Sequence, residues 1–179
     1  MLHWYRRFQV ADYKYSGVDT GGSRFVVGHH PPYASCLTGE AINVRRCNRS
    51  DVPAVLDLWT QARSEHASTP DCPEDVERLI GDSPAALLVA ERDGEVVGAL
   101  IAAWDGWRGN MYRLAVRDGY RREGIGLALT RAGEDYLRQC GVHRVTALVA
   151  FDDEVAGGFW ESAGYPQDHE IGRRVRNLS

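Results

Sequence analysis

The sequence predicts an α/β protein: one mixed, largely antiparallel twisted sheet with helices over both faces. Three observations carry that prediction. Strand-like and helix-like segments interleave in the order β-α-α-β-β-β-α-β-α-β. The three strand-like segments in the middle follow one another directly, as hairpin-connected strands do. The longest apolar runs, AALLVA (85–90) and VVGALIAAW (96–104), are of strand length and far short of the roughly 20 residues that cross a bilayer.

The elements follow in order. Residues 1–40 mix aromatics with Gly21-Gly22 and the run His29-His30-Pro31-Pro32-Tyr33 without a sustained period, so they read as an extension of uncertain order, strand-like at most around Arg24–Val27. The histidines there have no third metal ligand at a telling spacing, and no metal site is expected. The regular domain spans 41–179. AINVRR (41–46) alternates Ile42 and Val44 with polar residues, which predicts a strand. Ser50 and Asp51 before Pro53 predict a helix start, with Val55, Leu58, Trp59 and Ala62 on one face. PEDVERLI (73–80) opens with proline and two acids and places Val76, Leu79 and Ile80 on a stripe, a second helix. ALLVAE (86–91), Arg92-Asp93-Gly94 and EVVGALIAAW (95–104) form a hairpin pattern. The turn Asp105-Gly106-Trp107-Arg108-Gly109 leads into NMYRLAV (110–116). A helix from about Gly124 to Gln139 carries Ile125, Leu129, Ala132 and Tyr136 at helical spacing, with Gly141 just beyond. HRVTALVA (143–150) is a further strand and 153–164 a weaker helix, in which Gly157 and Gly158 each cost roughly 1 kcal/mol relative to alanine. The tail Tyr165–Leu178 is read as one or two edge strands, for about six to seven strands in all.

At 179 residues with 44% hydrophobic and 26% charged content, the composition is that of a globular domain with chain to spare. The net charge of -4 argues against a general nucleic-acid binder. Cys36, Cys47, Cys72 and Cys140 form no Cys-x-x-Cys pair, and no apolar segment follows the N-terminal arginines as an export signal would. The expectation is reduced thiols in a cytoplasmic protein without a membrane partner.

The chemistry concentrates where a strand hands over to a helix, at Arg121-Arg122-Glu123-Gly124-Ile125-Gly126. A helix N-terminus offers unpaired N–H groups and partial positive charge, glycines allow an anion close to the backbone, and arginines add fixed charge. The combination suits a pyrophosphate. A P-loop would continue Gly-Lys-Ser/Thr, and a dinucleotide fingerprint would need a third glycine; neither is present.

On these residues the chain resembles the GCN5-related N-acetyltransferase (GNAT) superfamily, whose signature Arg/Gln-x-x-Gly-x-Gly/Ala is matched by Arg121-x-x-Gly124-x-Gly126. The likeness covers about residues 42–178, including VRRCNRSDVPAVLDLW, LLVAERDGEVVGALI, MYRLAVRDGYRREGIGLAL and FWESAGY. The Asp-Gly-Trp-Arg-Gly turn is similar to that of small bacterial members of the YpeA type.

The resemblance implies a GNAT fold and acetyl-CoA as co-substrate. Arg121, Arg122, Glu123, Gly124, Ile125, Gly126 and Leu127 would surround the pyrophosphate. The backbone at Leu114, Ala115 and Val116 would pair with the pantetheine arm, where the fourth and fifth strands splay. Asp153 and Phe159 would contact the cofactor from the last helix. It further implies acetyl transfer to a primary amine of a small molecule or protein, and leaves room for a homodimer joined through edge strands. Such a transfer has three tasks: deprotonating an ammonium of ordinary pKa about 10, stabilising an oxyanion, and protonating the departing thiolate. An N–H near Ala115 or Val116 would suit the second.

For the third task the sequence departs from its relatives. Many members carry Asn at the start of the last helix and Tyr seven residues later; here Asp153 and Trp160 stand in those places. An indole is a hydrogen-bond donor and not a useful acid. Tyr112, and more weakly Tyr165, remain as proton donors. Asp105 and Asp153 are candidates for base or water-holding roles beside their turn and capping roles, and Trp104 and Trp107 are candidates for flanking an acceptor. The alternative reading is a non-catalytic acyl-CoA-binding or regulatory module on the same fold.

Overall fold

The computed structural model describes residues 42–62, 70–82, 84–174 and 176. The segment 1–40, with Cys36, the paired histidines and Pro31–Tyr33, lies outside them. The elements are β1 (Asn43–Arg46), α1 (Val52–Gln61), α2 (Pro73–Asp82), β2 (Ala86–Arg92), β3 (Glu95–Trp104), β4 (Gly109–Val116), α3 (Ile125–Gln139), β5 (Val145–Ala147) and α4 (Glu154–Ser162). Short 3-10 turns at Arg49–Asp51 and Asp118–Tyr120 precede α1 and the cradle segment.

The sheet runs β1-β2-β3-β4-β5, antiparallel except for the β4–β5 pair. Asp93 (φ 54°) and Gly94 (φ 79°) are both left-handed, the conformation a two-residue hairpin turn requires, so the Asp-Gly signal between β2 and β3 is realised. One face packs Leu88, Leu100, Met111, Ile125, Leu129 and Leu137 beneath α3. The other packs Val55, Leu58, Trp59, Val76, Val89 and Ala99 beneath α1 and α2. A sheet dry on both sides explains why β2 and β3 read as nearly continuous apolar runs.

Three sequence expectations change. The tail contributes no strand among the described residues, which leaves five strands in place of six or seven. The start of α1 is organised by Asn48, whose side chain accepts from Ser50 N–H at 2.9 Å while Asp51 Oδ2 accepts from Asn48 N–H at 2.8 Å. This capping box belongs to the 3-10 turn, so Ser50 is held by a cap and does not provide one. Ala62, expected on the buried stripe, is exposed because α1 ends at Gln61.

Candidate active site

β5 accompanies β4 only over Gly109–Met111, opposite Val145–Ala147. The last link is Leu148 N–H to Met111 C=O at 3.3 Å. From Tyr112 to Val116 the outer edge of β4 meets no strand among the described residues, so its backbone groups on that side line an open cleft. Leu114, Ala115 and Val116 therefore stand where an extended ligand can add to the sheet.

Within that stretch β4 bulges. Ala99 pairs with Ala115 and Ile101 with Tyr112, so Leu100 faces both Arg113 and Leu114. Arg113 takes a left-handed φ of 53°, unfavourable for a side chain of its size. α1 and the segment leading into α2 hold it there. Trp59 of α1 donates Nε1–H to Arg113 C=O at 3.2 Å. The Arg113 guanidinium pairs with Asp71, just before α2, at 2.5 Å and lies 5.7 Å from the Trp59 ring centroid.

Beyond Val116 the chain makes its 3-10 turn and enters the cradle. Arg122 (φ 63°) and Gly124 (φ 81°) are both left-handed, on either side of Glu123, so the chain turns sharply as it enters α3. The first helical bond of α3 is Ala128 N–H to Gly124 C=O at 2.9 Å. Among the described residues, the amides of Gly124, Ile125, Gly126 and Leu127 meet no backbone carbonyl, and no side chain caps the helix. A Cβ at Gly124 would find nothing within 4 Å, whereas one at Gly126 would meet Phe159 Cε2 at 3.1 Å. The cradle thus opens to solvent at Gly124 and is backed by the Phe159 ring at Gly126.

The arginines are unequal. Arg121 turns back on its own turn, bonding Val116 C=O through Nε at 3.3 Å and Asp118 through Nη2 at 2.8 Å. Arg122 is exposed beside the cradle. Glu123 directs its carboxylate to Arg92 at the end of β2.

The remaining candidates divide by what holds them. Asp153 caps α4, its Oδ1 accepting from Ala156 N–H at 2.9 Å. Asp105 Oδ1 accepts from Arg108 N–H at 2.7 Å and Trp107 N–H at 2.8 Å, and these bonds hold its carboxyl below the usual range. Both acids therefore serve turns, and Asp105 is a weak base. Trp160 is buried, packed edge-to-face with Phe159 (5.3 Å) and Tyr165 (5.1 Å). Tyr165 donates to Glu134 Oε1 at 2.9 Å, which commits its proton to that carboxylate, and burial followed by the carboxylate pushes its phenol up. Tyr112 is half-buried on β4; burial and then the Asp105 carboxylate raise its phenol, with Arg173 opposing. Trp104 packs against the α3-side core, and Trp107 is 79% exposed with the Arg108 guanidinium 4.9 Å from its ring centroid.

Sequence reading missed Arg92, Trp59 and Asp71 as partners of this region. Each acts across a long stretch of chain, and no local motif signals any of these pairings. The Arg113 bulge was equally hidden, since it shows only when the residues of β3 and β4 are counted against each other.

The family model for the Acetyltransferase (GNAT) family matches residues 52–165. Acetyltransferase ECA0875 of Pectobacterium atrosepticum is 33% identical over 125 residues, spanning 69% of this chain and 87% of its own length. A solved acetyltransferase from Agrobacterium tumefaciens superposes with a TM-score of 0.64 at 16% identity, covering 75% of this chain and 99% of that one. AAC(6')-Iy, solved with the bisubstrate analog CoA-S-monomethyl-acetylneamine, superposes at 0.65 with 17% identity over 77% of this chain and all (100%) of its own. The family match, spanning more than half of the sequence, agrees with the handover from β4 to α3, and the chain belongs to the GNAT acetyltransferase family.

Proposed function

We propose that this acetyltransferase is an acetyl-CoA-dependent N-acetyltransferase, moving an acetyl group to a primary amine of a small molecule or protein by direct attack of the amine on the thioester. The observation that carries the reading is the uncapped N-terminus of α3, whose amides at Gly124–Leu127 meet no backbone carbonyl among the described residues, opening beside the edge of β4 that no described strand covers. The first suits a diphosphate and the second suits the amide-bearing arm of pantetheine. The coenzyme A moiety of the analog bound to AAC(6')-Iy supports the same choice of donor.

In this reading the amides of Gly124 to Leu127 bind the diphosphate, with Arg121 and Arg122 supplying charge at its rim. Leu114 to Val116 orient the arm through their backbone, and Phe159 closes the cradle behind Gly126. An N–H near Ala115 or Val116 faces the developing oxyanion. With Asp105 and Asp153 committed to turns, Tyr112 is the remaining phenol on β4 for the proton of the leaving thiolate. Residues 41–179 constitute the working domain.

Isothermal titration of the chain with acetyl-CoA tests the donor site: saturable binding is expected, and no heat at millimolar ligand would remove the reading. Gly124→Glu and Gly126→Glu should abolish binding, the first by charge and a strained φ, the second also by collision with Phe159. Thiol release across a panel of amines then separates transfer from the second reading, a non-catalytic acyl-CoA-binding module. That reading is favoured by one observation, the burial of Trp160 where many relatives place a proton donor. Turnover with any amine retires it.

A further inference from the structure

Glu123 directly precedes Gly124, the N-cap of α3. A carboxylate beside a helix N-terminus is attracted by its partial positive charge and accepts from its free amides. Placed so, Glu123 would occupy the groups a diphosphate needs, and its charge would repel one. The side chain is held elsewhere: its Oε2 accepts from Arg92 Nη1, contributed by the β2–β3 hairpin 31 positions away in sequence. Arg92 is the more firmly placed partner. Its side chain is 15% exposed against 43% for Glu123, and its guanidinium lies 5.5 Å from the centroid of the Tyr120 ring in the turn before the cradle. Stacking on Tyr120 fixes the cation, and the carboxylate follows it.

Resting on the reading of the cradle as a diphosphate site, we propose that Arg92 is a positioning residue for the donor substrate: it draws the Glu123 carboxylate off the α3 amides and neutralises it, keeping the cradle free for an incoming anion. Arg92 acts chiefly through Glu123, so most of its effect should vanish when Glu123 carries no charge.

Titration of the full chain and three variants with acetyl-CoA tests this. A carboxylate released within roughly 7–10 Å of a diphosphate in a partly screened site weakens binding about tenfold. Arg92→Gln should show that loss. Glu123→Gln should bind a few-fold more tightly than the parent, since it removes the internal competitor and leaves Arg92 cationic. The double variant should return to within about threefold of the parent. A double variant as weak as Arg92→Gln overturns the proposal, as does Arg92→Gln with unchanged affinity. If the parent binds but these orderings fail, only the role of Arg92 falls; if the parent itself does not bind acetyl-CoA, the diphosphate reading falls with it.

Discussion

Gly124 answers a demand of the backbone and not of packing. Its φ of 81° is costly for any residue with a Cβ, and its surroundings are empty, so the penalty of a substitution is conformational and not steric. Gly124→Ala should therefore lower stability by about 1–2 kcal/mol without disturbing neighbouring side chains, a loss readable by urea titration. Asp51 makes a second residue-scale argument. It is buried, accepts two bonds from Arg45 at 2.6 and 3.0 Å, and takes the Asn48 N–H; Arg45 also bonds Glu91 of β2. The Arg45 bond, then the backbone bond, holds the Asp51 carboxyl below its ordinary value against the opposing effect of burial. A depressed carboxyl contributes stability that is complete above the unfolded value, about 3.9, and lost as pH falls through the folded one. Melting curves between pH 6 and 2 should accordingly drop more steeply below about pH 4 for the parent than for Asp51→Asn. At neutral pH the variant should be less stable by about 1–3 kcal/mol, because Arg45 loses its charged partner.

Among the elements, α4 is built against its own propensity. Gly157 and Gly158 have open space at their Cβ positions, so packing does not require either glycine. Gly158→Ala should raise the melting temperature by about 2–4 °C, the shift that roughly 1 kcal/mol produces in a chain of this size. Measured beside acetyl-CoA affinity, a gain in stability with a loss of binding would show that the space serves the ligand. The bulge of β4 depends on α1 in turn. Trp59→Phe keeps most of the buried volume and removes the donor to Arg113 C=O, so a cost of about 1–2 kcal/mol is expected, with turnover falling more than acetyl-CoA affinity. How far these elements could be read from sequence follows from their range. The hairpin β2–β3 was legible because Asp93-Gly94 specifies its turn locally, and α3 because its stripe and its glycines coincide. The cradle was legible for the same reason: amides, glycines and arginines fall within six successive residues. The brevity of β5 was not, since pairing of a parallel strand depends on a partner far along the chain. The edge strands expected of the tail had no period-2 alternation to support them, since Gln167–Glu170 are all polar.

At the scale of the whole molecule, the chain carries a net charge of -4, yet the exposed Arg121 and Arg122 stand together beside the cradle, Arg121 paired with Asp118. Exposed charges of this kind are screened over about 8 Å at physiological salt, so acetyl-CoA affinity should fall between 50 and 500 mM NaCl, and a flat profile would argue that backbone amides alone bind the anion. Among the described residues no helix is long and apolar enough to cross a membrane. The antiparallel meander β2–β3–β4 joins strands through short turns, whereas β5 reaches β4 only after the chain has passed through α3. Contacts that close a longer loop form later and rest on fewer local supports. The mouth of the cleft is thus the seam between an early-folding meander and a late-docking strand, and amide hydrogens of Val145–Ala147 should exchange with deuterium sooner than those of β3.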